Sequence, residues 1–182
     1  MPIAEPALSE TRRFQASLAE RVDGVRWARP ETLHLTVHFF GTIDEAHAAN
    51  AVDLVFPIVS DAPTFDVELG RLSAFRPRGA PRVLWLGPAS EVAQLTALAL
   101  ECRKILRSAG FGVESRQYNP HCTLGRVRAQ WSEGAHSTWA SVVAEPVPLM
   151  HFTATRLVLY ESRSAPGGAV YTERSVLPFA AG

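Results

Sequence analysis

Apolar positions mark out most of the elements of this chain. Leu8, Phe14, Leu18 and Val22 recur at near-helical spacing between polar and charged residues, which predicts an amphipathic helix over Ser9 to Arg21, ended by Gly24. Val25 to Ala28 reads as a short strand. From Leu33 to Phe40 the pattern is that of an extended strand, whose successive side chains point to opposite faces. His34 and Thr36 then share one face, and Leu33, Leu35, Val37 and Phe39 the other. Gly41 closes that strand. Asp44 is placed to cap a helix of Ala, Val and Leu running to about Phe56, where Pro57 lacks the N–H that a helix needs. Phe65, Val67 and Leu69 alternate with polar residues as in a half-buried strand, Arg76 to Pro81 is a loop, and Arg82 to Gly87 is a short apolar strand.

The second half repeats these themes. Val92, Leu95, Leu98, Cys102, Ile105 and Leu106 predict a long helix ending at Gly110. A second histidine strand follows over Pro120 to Val127, in which His121 and Thr123 share a face as His34 and Thr36 do. Trp131 to Pro148 predicts one helix carrying Trp139 and Val143, then a Pro-rich turn. Met150 to Glu161 and Ala169 to Leu177, joined through Pro166-Gly167-Gly168, read as a β-hairpin. A histidine strand, helix, strands and helix are thus followed by a histidine strand, helix and strands. Two similar lobes facing each other would bring the histidine strands together within one domain, residues 1–182.

Composition narrows the partners. A chain of 182 residues can bury roughly 70% of its unfolded surface without a staple. Eighteen basic and eighteen acidic side chains cancel, which argues against an electrostatic grip on long nucleic acid and for recognition concentrated on a terminal nucleotide or two. A small phosphate ligand fits, because the positive charge is almost all arginine, Lys104 being the one lysine, and guanidinium suits bidentate phosphate contacts. Cys102 and Cys122 read as small buried apolar residues, not as a disulfide. The chain shows neither an N-terminal apolar h-region nor a run of eighteen apolar residues, so a cytoplasmic monomer with no membrane partner is expected.

His-x-Thr alone is a weak signal. It occurs four times, at His34, His121, His136 and His151. His136 lies in a Ser, Gly and Ala-rich stretch without a strand pattern. His151 sits in a predicted strand and is the serious decoy, although Ala154 and Thr155 break its apolar run. His34 and His121 alone have a proline shortly upstream, an aliphatic residue after the Thr and a glycine soon beyond. A zinc site from His34, His38 and His121 is disfavoured, since the i, i+4 pair needs a helix and PETLHLTVHFFG reads as strand. His38 is expected at the cleft rim. Trp85 and Phe40 are candidates for stacking on a base, with core packing the blander reading.

These segments resemble those of the 2H phosphoesterase superfamily, and within it the RNA 2′,3′-cyclic phosphodiesterases once called 2′-5′ RNA ligases. Thr32 to Gly41 is similar to the family's NLHLTLKFLG-like segments, Pro81 to Gly87 to its PRVLWLG, Asn119 to Val127 to its HPHLTLARV, and Leu157 to Tyr171 to its closing ES-x6-Gly-x-x-Tyr pattern. The resemblance implies an α+β fold of two similar lobes, each an antiparallel sheet with helices, around a central cleft. One departure stands out: the apolar strand of type RLFFAL that usually opens the family is absent from Met1-Pro2-Ile3-Ala4-Glu5-Pro6, which predicts an unpaired sheet edge beside the site.

Opening a 2′,3′-cyclic phosphate with water needs a base for the water's proton and an acid for the departing ribose oxygen. Two histidines supply both without metal or cofactor. Thr36 and Thr123 hydroxyls, each on its histidine's face, suit the non-bridging phosphate oxygens. The resemblance assigns His34 as acid and His121 as base, an order the residues alone leave open. It also brings in Arg126 as a phosphate ligand. Strict alternation puts Arg126 on the face opposite His121, so it needs a bulge, for which Gly125 is suited. The expected partners are RNA ends or small nucleotides with a 2′,3′-cyclic phosphate. Alternatives are an enzyme for 2′-5′ linkages or another small cyclic phosphodiester, and a non-catalytic RNA-end or nucleotide-binding module.

Overall fold

A computed structural model describes residues 1–76, 80–128, 131–166 and 168–180. Pro77 to Gly79 of the expected loop, and Gly167 of the expected hairpin turn, lie outside them. Four helices and seven strands among the described residues build an α+β fold: α1 (Ala7–Ala19), β1 (Val25–Trp27), α2 (Glu45–Asp61), β2 (Phe65–Phe75), β3 (Val83–Pro88), α3 (Ala93–Ser108), β4 (Cys122–Val127), α4 (Glu133–Ala144), β5 (Met150–Ala154), β6 (Arg156–Ala165) and β7 (Gly168–Pro178). A five-stranded antiparallel sheet has the order β1-β4-β3-β2-β5, and β6 pairs with β7 in a separate two-stranded sheet. α1 packs on both β1 and β5, the two edges of the larger sheet, so that sheet curls around it. α2 lies against α3, β6 and β7.

Several boundaries differ from the sequence expectation, each for an identifiable reason. The strand expected over Leu33 to Phe40 is instead a 3-10 turn at Pro30–Thr32 followed by an extended segment held by single bridges, Pro2 with His34 and Leu35 with Cys122. Without a long neighbour on either side a regular ladder cannot form. The chain bends at Val37, and Phe39, expected in the core, is 73% exposed. The sheet edge expected to be empty is partly filled, since Met1 and Ile3 are buried and Met1 exchanges two backbone hydrogen bonds of 2.9 Å with Leu35. Two apolar residues around a proline are too short a pattern to read as a strand.

Helix α2 passes through Pro57 and ends at Asp61. Proline there forfeits one late helical bond, while the following turn seats the fully buried Val59 in the core. Strand β2 runs well beyond Leu69, because a bulge at Gly70 shifts the inward set from Phe65, Val67 and Leu69 to Leu72. That switch hides the continuation from a search for strict alternation. Met150 to Glu161 is divided at Thr155, with β5 joining β2 and β6 joining β7, so one expected hairpin arm serves two sheets. The helix carrying Trp139 is present as α4, with Ser132 capping it by accepting from the Ala135 N–H.

Two polar side chains of α1 are buried, Thr11 and Gln15. Thr11 Oγ1 donates to the Ala7 carbonyl at 2.8 Å. Gln15 Nε2 reaches across to donate to the carbonyls of Leu124, at 2.8 Å, and Ala28, at 2.9 Å. The helix is thereby tied to β4 at one point.

Candidate active site

The site is built on one rung. Leu35 and Cys122, both fully buried, face each other in a single antiparallel bridge. That register sets His34 opposite Thr123 and Thr36 opposite His121. Because neighbours along an extended chain point to opposite faces, all four polar side chains lie on the side away from the core. The histidines occupy diagonal corners, about 7–8 Å apart at the backbone by sheet geometry. That spacing leaves room for one phosphate between two imidazoles.

Each ring is anchored in the same way. His34 Nδ1 lies 2.7 Å from the Thr32 carbonyl and His121 Nδ1 lies 2.8 Å from the Asn119 carbonyl, in both cases two residues back along the chain. A carbonyl only accepts, so Nδ1–H is the donor and Nε2 is the nitrogen left for chemistry. Thr36 Oγ1 stands 3.2 Å from His34 Nε2.

Each ring is also walled by two aromatics. Tyr160 and Tyr171 lie 5.5 and 5.2 Å from His34, and Phe75 and Trp85 lie 4.8 and 6.2 Å from His121, centroid to centroid. This burial disfavours the imidazolium form. His34 is lowered to about 4, by burial first and then by the charge of the Met1 amine, against the raising effect of the Thr32 carbonyl. His121 is lowered by burial, against the Asn119 carbonyl and assisted by Arg126.

Arg126 reaches this face through a bulge. Thr123 pairs with Trp85 but Gly125 pairs with Leu84, so Leu124 is the extra residue in β4. The added residue turns Arg126, paired with Val83, onto the face of Thr123 and Trp85. Gly125 is required beside the bulge, since a Cβ there would stand 2.6 Å from Val25 Cγ1 and 3.2 Å from the Trp27 ring. Gln15 grips the Leu124 carbonyl, the backbone of the inserted residue itself.

Apart from Trp85, the other sequence candidates fall elsewhere. His38 leaves the cleft at the Val37 bend and packs edge-on to Phe40 at 4.5 Å, its pKa lowered by burial and by Arg103. Phe40 itself rests on Phe111. Trp85 is 5% exposed, with the Arg71 guanidinium 5.0 Å over its ring, so it walls the site and offers no face to a base. His136 lies on α4, where Thr138 does not share its face. His151 is exposed on β5 and pairs with Glu68 at 3.0 Å, while Thr153 donates to Asp66. Among the described residues no group of three or more His, Cys, Asp or Glu converges as a metal site would require. Phe75 and Tyr160 were not singled out from sequence. Tyr160 immediately precedes the Glu-Ser pair of the closing pattern, and that position was the available signal.

Two His-x-Thr segments facing one another within an α+β fold is the arrangement of a 2H phosphoesterase. Residues 4–166 match the family described as the 2′-5′ RNA ligase superfamily. Similar proteins named RNA 2′,3′-cyclic phosphodiesterase include one from Thermotoga maritima, 28% identical over 93% of this chain and 87% of its own length, and one from Methanocaldococcus jannaschii, 27% identical over 93% and 92%. One of the same name from Geobacillus stearothermophilus is 25% identical over 89% of this chain, which spans half of that protein. The crystal structure of E. coli LigT complexed with 3′-AMP superposes with a TM-score of 0.80 at 22% identity, over 98% of this chain and 94% of that one. The chain belongs to the 2′-5′ RNA ligase superfamily. Among the described residues no helix is long and apolar enough to cross a membrane.

Proposed function

We propose that the protein is an RNA 2′,3′-cyclic phosphodiesterase that hydrolyses a terminal 2′,3′-cyclic phosphate to a 2′-phosphate by two-histidine acid–base catalysis. The observation that carries this is the diagonal pair of imidazoles, each with Nδ1 committed to a backbone carbonyl and Nε2 left for proton transfer. The names of the relatives agree with it. Water attacks phosphorus as one Nε2 takes its proton, the P–O3′ bond breaks, and the other imidazolium protonates O3′. Phosphorus keeps its bond to O2′. Thr36 and Thr123 hydroxyls and the Arg126 guanidinium stabilise the charge gathering on the non-bridging oxygens.

Resemblance makes His34 the acid and His121 the base. With His34 lowered to about 4, that order requires the bound phosphate anion to raise it before reaction. The more strongly depressed imidazole is the better placed to be neutral, which favours the reverse order. The two are separated by pH–rate profiles of the single variants, since loss of the acid removes the alkaline limb and loss of the base the acidic one.

The primary test incubates the protein, with EDTA present, with a short RNA ending in 2′,3′-cyclic phosphate. A 2′-phosphate product that forms at least about 10² more slowly in both His34→Ala and His121→Ala is expected. Turnover close to the wild-type rate in either variant sinks the proposal, and tight binding without product by a folded wild-type protein replaces it with a binding module.

A further inference from the structure

Four arginines gather where β1, β3 and β4 run out beyond the bulge. Arg26, Arg82, Arg126 and Arg128, with Val83 and Val127 between them, line an open groove of about 590 Å³. All four are exposed. Among the described residues the arginine–carboxylate pairs are made by Arg12, Arg21, Arg163 and Arg174, so none of these four has a carboxylate within 4.0 Å. Arg26 and Arg126 are direct cross-strand partners, and like charges set opposite each other destabilise a sheet. A chain of zero net charge thus concentrates positive charge in one place and leaves it uncompensated. An anionic ligand reverses that cost.

The groove continues from the active site. Trp85–Thr123 and Val83–Arg126 are successive pairs on one face. At about 3.3 Å per strand residue, Arg126 lies roughly 10 Å and Arg128 roughly 17 Å beyond Thr123. Among the described residues its lining contains no aromatic ring on which a base could stack and no side-chain amide, and presents guanidinium, which grips phosphate.

We infer that this groove holds the sugar–phosphate backbone of the RNA strand leading up to the terminal nucleotide. Selection for RNA ends therefore grows with strand length and ignores base sequence. The inference rests on the reading of the His34–His121 site as one that takes RNA ends. It departs from the expectation, drawn from net charge, that recognition stops at a nucleotide or two.

The test compares kcat/KM for a 2′,3′-cyclic mononucleotide with that for RNA oligomers of increasing length ending in the same nucleotide, in the wild type and in the combined Arg26→Ala, Arg82→Ala, Arg128→Ala variant. The wild type is expected to favour the longer oligomers by more than tenfold at low salt. The variant should lower that preference at least tenfold, and should flatten the log–log salt dependence by about 2, at roughly 0.7 per phosphate contact on a single strand. A wild-type preference that does not grow with length, or one the variant leaves intact, overturns the inference. So does an equal fall for mononucleotide and oligomer, which would mark general damage. If the wild type turns over neither substrate, the proposed function fails and the groove is judged by fluorescence anisotropy with RNA ending in a 3′-phosphate. Length-dependent binding lost in the variant then upholds the groove; binding insensitive to length or to the variant overturns it.

Discussion

Gln15→Leu tests whether α1 holds the bulge that orients Arg126. The two side chains are close in volume, so no cavity opens and the change is one of hydrogen bonding. Gln15 is 4% exposed and donates to the Leu124 and Ala28 carbonyls. Two net hydrogen bonds are worth about 1–3 kcal/mol together, and a buried acceptor left unpaired adds about 1–3 kcal/mol. The Leu124 carbonyl keeps a second donor, the Ala28 N–H at 2.8 Å, which tempers the orphan cost. A loss of about 2–4 kcal/mol in urea unfolding is expected, with a KM for cyclic phosphate that rises more than kcat falls as Arg126 loosens. Gln15→Glu supplies a second readout. A buried carboxyl there has its pKa raised by desolvation and by two facing carbonyls; it keeps one donor while protonated and loses it when ionised. The destabilisation of this variant relative to the wild type should therefore be larger at pH 8 than at pH 5. A destabilisation below about 0.5 kcal/mol in Gln15→Leu, or no pH dependence in Gln15→Glu, refutes the role given to this side chain.

Alanine at either His34 or His121 should lower kcat by about 10²–10⁴, and the double variant should fall little further than the worse single one, as for groups acting in one step; additive losses would show two separate steps. The kcat/KM profile should peak below pH 6.5, because both imidazoles are held below that value and a single-proton state is most populated between their two pKa values; a peak above pH 7.5 contradicts the burial seen at the rings. The same depression links His34 to stability: the unfolded state takes up a proton near pH 6.5 and the folded state near 4, so stability is full above 6.5 and is lost as pH falls toward 4, a dependence that His34→Asn should weaken in unfolding titrations. Gly125→Ala should cost about 1–3 kcal/mol by overpacking against Val25 and Trp27, measured by urea unfolding. His151→Ala should leave turnover at the wild-type level, since its partner is Glu68 on the sheet surface; a large loss would return His151 to the site.

What was legible in the sequence was what pattern alone can encode. The long helices with one apolar face were readable from spacing, as was the His-x-Thr contrast between flanked and unflanked copies, which singled out His34 and His121 ahead of His151. Elements that depend on a partner were not. Leu33 to Phe40 reads as strand because its alternation is genuine, yet Leu35 finds only the single rung to Cys122 and Phe39 turns to solvent beyond the bend. Bulges at Gly70 and Leu124 each shift the inward set by one residue, which defeats a fixed period-2 template. The aromatic walls were hidden for another reason. Phe75 comes from β2 and Tyr160 from β6, and only the tertiary fold sets them against rings far away in the chain.

The single rung between Leu35 and Cys122 also has a mechanical meaning. His121 immediately precedes β4 of the five-stranded sheet, whereas His34 hangs on an extended segment held by one bridge on each side, to Pro2 and to Cys122. Strand ladders share strain over many bonds; this joint concentrates it in very few, so its opening costs far less than global unfolding. As denaturant rises, the distance between the imidazoles becomes undefined while helices and sheets persist. Enzymatic activity therefore decays ahead of circular dichroism, and the amide of Leu35 exchanges with solvent sooner than those in the middle of β3.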